Sequence, residues 1–372
     1  TVISRQWEHR RLALLWKLRS GELPCLVATV EALQQRTLPP EILDGACTVL
    51  EPGQQADLNQ LTEALTAAGY VRCDQVEGAG QFALRGGILD VYSPGMAAPV
   101  RAEFWGDELD TMGAFDPSTQ RRTENVDRAV LLPAAETLPQ LAHGGLSSLL
   151  ERLDKLASKA RRDGNEDLAV TLQQDRDALG EGRSFPAADR YLPLIYPKAA
   201  TAADFLPLDA CVLFSESSRV GERAKTYQWQ LEEDVKTLLE RGELDGSCGE
   251  LCLPFDRLCR RLEDFPFAYL DSFSLSSYPV YPKCLLSVMA KQLPSFGASL
   301  ETAVQDLSHY QSAGFAVLVL VSSEQRCLNL QTLLREQKVK SAVDFALKAL
   351  PKPGQIILTV GGLSGGLEYP AL

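Results

Sequence analysis

The stretch GQFALRGGILDVYSPGMAAPVRAEFWGDELDTMGAF, residues 80–115, decides the fold of its part of the chain. Apolar and polar residues alternate through it, and Gly86-Gly87, Pro94-Gly95 and Gly106-Asp107 punctuate it. Alternation places successive side chains on opposite faces of a sheet, and such dipeptides reverse the chain. The spacing predicts strands over Gln81–Arg85, Ile88–Ser93, Val100–Trp105 and Asp107–Phe115. In the third of these, Val100, Ala102 and Phe104 share the core face, while Arg101, Glu103 and Trp105 share the other. Arg85 follows Phe82 and Leu84 and likewise turns away from the core. A tryptophan on the charged face of a strand does not serve solubility, and Trp and Arg are enriched where proteins dock. Two readings stay open from alternation alone. Either Arg85, Arg101 and Trp105 form a docking face for another protein, or a neighbouring loop covers Trp105 and both arginines are solvated.

Working outward, the texture is α/β on both sides of this β-rich segment. Upstream, Trp7, Leu12, Leu15, Trp16 and Leu18 follow helical spacing to about Leu18. A buried strand is expected over Pro24–Val30, then a loop through Pro39-Pro40, then a short helix from Asp57 to Ala68. Downstream, residues 145–182 read as a long amphipathic helical stretch flanked by Gly. A buried strand at Cys211–Phe214 and a helix at Arg219–Arg241 follow. After a proline-rich link near Tyr278 to Lys283, the reading gives a helix at Ser299–Gln311, a strand at Phe315–Val321, a helix at Glu324–Gln337 and a strand at Gln355–Val360. That alternation predicts a small doubly wound α/β domain.

The 372 residues carry a formal charge of −12, which argues against a surface that grips phosphate backbones throughout. Nine scattered cysteines and no signal peptide predict reduced thiols in a cytosol. No apolar run approaches a membrane span. The chain opens without Met and stops where another strand is due, so a piece of a longer chain is expected.

The run GQFALRGGILDVYSPG…PVRAEFWGDELDTMGAFDPSTQRR resembles the UvrA-binding domain shared by the excision-repair subunit UvrB and the transcription-repair coupling factor Mfd. FPAADRYLPLIYP, FLPLDACVLFSESSRVGERA, AKQLPSFGASLETAVQDL and LTVGGLSGGLEYP are more similar to the coupling factor than to UvrB. In that family the arginine before the glycine turn, the arginine of the PVR strand and an aromatic four residues later contact UvrA; they fall here on Arg85, Arg101 and Trp105. The family more often has Phe where Trp105 stands. The resemblance implies an N-terminal part of the coupling factor. Its fold would be a degenerate, helicase-like α/β domain interrupted by a β-rich UvrA-binding insert and followed by a small doubly wound α/β domain. The expected segments are 1–50 (first part of the UvrB-like α/β domain), 51–130 (the insert), 131–275 (second part) and 276–372 (small domain).

Catalytic chemistry is expected to be absent from this part of the chain. The Gly-rich VGGLSGG at 360–366 lacks the lysine of a phosphate loop and reads as a turn. Where helicases of the UvrB kind carry Asp-Glu to hold Mg²⁺ and activate water, this chain has Ser215-Glu216, so the Asp position holds a neutral hydroxyl. Cys248, Cys252 and Cys259 lack the paired spacing and nearby His of a zinc site, and Asp107, Glu108 and Asp110 read as a solvated turn. His9, His143 and His309 read as helix surface or loop, and Lys159 to Arg162 as a basic helix C-terminus. No catalytic residue, cofactor or metal is assigned. The expected function is recruitment of UvrA in a bacterial cytoplasm. RNA polymerase and duplex DNA would be bound through absent domains of an ATP-dependent translocase, and an absent C-terminal domain would contact this part. The rival expectation is a DNA-acting, UvrB-like helicase or excinuclease fragment.

Overall fold

The computed structural model describes residues 5–183, 188–198, 200–293 and 300–370. The chain divides into two units, Thr1–Pro282 and Lys283–Leu372.

In the first unit α1 (Gln6–Arg19) buries Leu12, Leu15 and Leu18, one stripe at three-residue spacing. Trp7 is not on that stripe; it is exposed, with the Arg10 guanidinium 4.9 Å from its ring centroid. The strand expected over Pro24–Val30 does not form. Residues 24–29 are irregular, and the Thr29 hydroxyl accepts the Ala32 N–H to cap a short helix, α2 (Val30–Gln34). A short apolar run reads equally as strand or helix; here the Thr29 cap decided it. After β1 (Arg36–Thr37), Pro40 begins α3 (Pro40–Ala46) instead of a loop, because a first-turn proline forfeits no helical hydrogen bond.

β2 (Thr48–Leu50) leads to α4 (Leu58–Ala67), capped by Asp57, which accepts the N–H groups of Asn59 and Gln60. A six-stranded sheet follows in chain order: β3 (Val71–Arg72), β4 (Gln81–Arg85), β5 (Ile88–Tyr92), β6 (Val100–Trp105), β7 (Glu108–Phe115) and β8 (Arg122–Asn125). All neighbours are antiparallel except β3 and β4. The β4–β5 turn needs glycine twice. Gly86 has φ +61, and a Cβ on Gly87 would lie 2.7 Å from the Phe104 carbonyl oxygen. Between β6 and β7 the register shifts, from Glu103 opposite Thr111 to Phe104 opposite Leu109, so Asp110 is the extra residue of a bulge. β9 (Ala129–Leu131) follows the sheet and runs antiparallel to β2, so the strands before and after this segment pair.

Phe82, Leu89, Val91, Val100, Ala102, Phe104 and Leu109 share one core with Leu12 and Leu15 of α1 and Leu61 and Leu65 of α4. Leu84 is only partly buried against it. On the opposite face Val76, Ala83 and Phe115 form a small separate cluster.

The helical stretch beyond residue 145 is two helices, α5 (Gly145–Arg162) and α6 (Glu166–Gly180), broken where Gly164 takes φ +79 and Asn165 accepts the Leu168 N–H as a cap. Lys159, Arg161 and Arg162 fill the last turn of α5, where cations complement the helix dipole. After α7 (Leu192–Ile195), β10 (Ala200–Thr201) pairs with β1. β11 (Val212–Ser215) opens α8 (Ser217–Glu240); α9 (Phe255–Leu262) then leads to β12 (Phe267–Leu270), which is parallel to β11. The strand expected to be buried over Cys211–Phe214 buries only Phe214, and Cys211 and Leu213 are exposed. In a two-stranded sheet covered on one face, every second side chain meets solvent.

The second unit has β13 (Lys291–Leu293), α10 (Leu300–Ser312), β14 (Val317–Val321), α11 (Glu324–Glu336), β15 (Ser341–Val343), β16 (Ile356–Val360) and β17 (Gly366–Glu368). Its parallel sheet runs β14-β16-β15 over Val304, Leu307, Cys327, Leu334, Ile356 and Leu358. The strand–helix–strand alternation read from the sequence is there, with β13, β15 and β17 as the described strands it missed. Ser299, the expected helix start, lies outside the described residues.

Candidate protein-docking site

Cross-strand register places the candidate residues on one face of the six-stranded sheet. Arg85 pairs with Ile88 and Ile88 with Glu103, so β4, β5 and β6 contribute one rung; Trp105 lies one step further along β6. The neighbouring rung contains Ala83, Asp90, Arg101 and Gly113. Trp105 is 85% exposed and Ile88 38%. No loop among the described residues shields the tryptophan, so the alternative of a covered Trp105 fails.

The two arginines are not equivalent. Both bind Asp90, a buried carboxylate on the same face. Arg101 does so through two bonds, Nε to Oδ1 at 2.7 Å and Nη2 to Oδ2 at 2.8 Å, the bidentate geometry that suits guanidinium and carboxylate. Its Nη1 donates to the Gln120 carbonyl at 3.4 Å, and its guanidinium carbon lies 4.8 Å from the Phe115 ring centroid. Hydrogen bonding to Asp90 raises the Arg101 pKa above its ordinary value. Arg85 reaches Asp90 Oδ2 through Nη2 alone, at 2.7 Å. Its side chain stays 53% exposed, against 21% for Arg101. Arg101 is therefore part of a half-buried ion cluster rather than a solvated arm, and Arg85 and Trp105 are the more open members of the face.

Sequence reasoning missed Asp90 and Ile88. A signal existed: ILDVY puts one acid in an otherwise apolar strand, at the position that the PVR strand faces with Arg101. Glu103 on the same face is engaged by Arg122 at 3.5 Å, and Arg122 lies across Gly113, where a Cβ would collide with it.

The other candidate positions are elsewhere. Ser215 ends β11 with its side chain exposed, and Glu216 adopts a left-handed backbone, φ +56. The Glu216 carboxylate accepts the Ser272 hydroxyl at 2.5 Å. Asp271, just past β12, accepts both the Ser217 N–H and the Ser217 hydroxyl at 2.6 Å and so caps α8 from a distance. Cys248 and Cys259 are buried in different core clusters, and burial pushes each thiol up to about 11. His9, read as surface, is half-buried with Nε2 at 3.0 Å from the Ala134 carbonyl oxygen, and burial lowers its pKa. Among the described residues no group of three or more His, Cys, Asp or Glu is arranged to hold a metal ion, and no helix is long and apolar enough to cross a membrane.

Residues 49–136 match the family described as the UvrB interaction domain, the segment that holds the six-stranded sheet and the Arg85–Asp90–Arg101 cluster. The whole chain is similar to transcription-repair-coupling factors. It is 26% identical to that of Bacillus subtilis (strain 168) over 374 residues, covering 100% of this chain and 32% of the relative. It is 25% identical to that of Staphylococcus haemolyticus (strain JCSC1435) over 371 residues, covering 99% of this chain and 31% of the relative. The chain thus spans about a third of the length of the relatives it matches.

Proposed function

We propose, from its likeness to an N-terminal part of a transcription-repair coupling factor, that this chain recruits UvrA and thereby links stalled transcription to nucleotide excision repair. The observation that carries this reading is the exposed Trp105 sharing one open sheet face with an arginine pair, within the matched UvrB interaction domain. An exposed aromatic on the same sheet face as two guanidiniums has the composition of an interface hot spot, and a partner carboxylate would find charge-assisted donors there. The fold then reads as a helicase-like α/β domain, interrupted by the docking insert and followed by a small α/β domain, in a bacterial cytoplasmic protein. The role is non-catalytic in this part of the chain. Ser215 offers a hydroxyl where a Mg²⁺-binding carboxylate would stand, and Asp271, just past β12, is committed to the N-terminus of α8. RNA polymerase and duplex DNA belong to the rest of the coupling factor. The test is titration of the purified chain with UvrA. Micromolar or tighter binding that Trp105→Ala weakens supports the reading, and binding insensitive to both Trp105→Ala and Arg85→Ala refutes it.

A further inference from the structure

Asp90 occupies the middle of the docking face. It lies on β5, between Ala83 of β4 and Arg101 of β6, and it is 1% exposed. Three donors from two arginines converge on its two oxygens, all between 2.7 and 2.8 Å. Its neighbour on β4 is only an alanine, and Arg85, one rung away on the same strand, reaches Oδ2 from there. The cluster sums two positive charges and one negative, so one positive charge is left over on a face where Glu103 already has Arg122.

We propose that Asp90 is the positioning residue of the docking face, a buried carboxylate that fixes both guanidiniums before the partner arrives and leaves one unneutralised charge for a partner carboxylate. The inference rests on the docking reading above and adds a mechanism to it. A free arginine side chain samples many rotamers, and a partner that captures it must overcome that lost freedom; a guanidinium already held in place removes most of this cost. Arg85 is held by Nη2 alone, so it is oriented and still more than half exposed. Trp105 has no link to Asp90, and its contribution to binding is independent of it.

The experiment is a double-mutant cycle on UvrA binding, with melting measured on every variant. Asp90→Asn is expected to weaken binding about tenfold or more although Arg85 and Trp105 are intact, because a buried charge cluster has lost its centre. Arg85→Ala is expected to weaken the wild-type chain by about tenfold and the Asp90→Asn chain by no more than about twofold. Trp105→Ala is expected to have the same effect in both. If Asp90→Asn does not fold, the same cycle is run on Asp90→Asn/Arg101→Gln, which leaves no unpaired buried charge. A merely structural Asp90 would lower the melting temperature and leave the effect of Arg85→Ala unchanged. That additive result overturns the inference, as does an effect of Trp105→Ala that collapses together with that of Arg85. If the wild type does not bind UvrA, or neither Trp105→Ala nor Arg85→Ala weakens binding, the docking reading falls and this inference with it. If both weaken binding and the cycle is additive, only the role of Asp90 falls.

Discussion

At the scale of single residues, Trp105 keeps most of its surface in water at the end of β6, just past the bulge, so the folded chain loses little when it is removed. Trp105→Ala is expected to shift stability by no more than about 0.5 kcal/mol, while UvrA affinity falls about 30-fold, the effect of a hot-spot aromatic worth about 2 kcal/mol. Calorimetric titration beside a melting curve separates the two. Arg101 behaves differently. Alternation along β6 places it on the outer face with Trp105, and that alone leaves open whether it docks a partner or is merely solvated. The structure instead clamps it to a buried carboxylate, so Arg101→Ala leaves Asp90 with half its partners and should cost about 3 kcal/mol in a denaturant titration. Period-two patterning shows the face of a side chain and not what lies beside it on the next strand. Asp90 was hidden for that reason, since its partners come from 5 and 11 positions away and only register brings them together.

Among the elements, the tight β4–β5 turn is the most demanding. A Cβ at Gly87 would press on the Phe104 carbonyl, whose own N–H donates to the Gly87 carbonyl at 2.7 Å. Gly87→Ala should therefore destabilise the sheet by about 1–3 kcal/mol and weaken UvrA binding as well, since β4 and β6 carry Arg85 and Trp105; thermal melting and titration read both. Helix α1 is fastened to the segment after β9 by His9 at Ala134, by Glu8 accepting the Glu136 N–H at 2.8 Å, and by Arg11 at 3.5 Å from the Glu136 carboxylate. Burial holds the His9 pKa below its ordinary 6.5. The unfolded chain takes up that proton first, so the stability present above about pH 6.5 is lost as pH falls toward the folded value. Melting temperature should decline from about pH 7 to about pH 5, and His9→Gln should remove part of that slope. The four central strands of the insert were legible to within a residue because turn dipeptides bound them. β3 and β8 were not: the first is two residues long and the second, Arg122–Asn125, is polar and exposed throughout. The segment 24–30 misled because a hydroxyl cap outweighed an apolar run too short to commit itself.

On the scale of the whole molecule, the charge of −12 limits what the chain can do with DNA. Little counterion release is available, so a duplex titration at physiological salt should give only weak binding without sequence preference; submicromolar affinity with a steep salt slope would contradict this. ATP turnover should stay at background with or without DNA. Ser215→Asp alone should not create it, because VGGLSGG at 360–366 offers no lysine to a phosphate and Asp271 remains tied to Ser217. The division near residue 282 and the β-rich character of the middle segment follow from prolines and period-two runs, which act locally. How the insert is closed does not, because β2 and β9 are three-residue strands some 80 positions apart. Their pairing sets the two ends of the insert side by side, at the roughly 5 Å spacing of neighbouring strands. By topology the segment between them begins and ends at one place, so its length can change without rerouting the chain on either side. By energy it is not self-contained. Phe82, Val100 and Phe104 share a core with Leu12 and Leu15 of α1 as well as with Leu61 and Leu65 of α4, so a graft that keeps α4 and omits α1 would carry the sheet on an incomplete core.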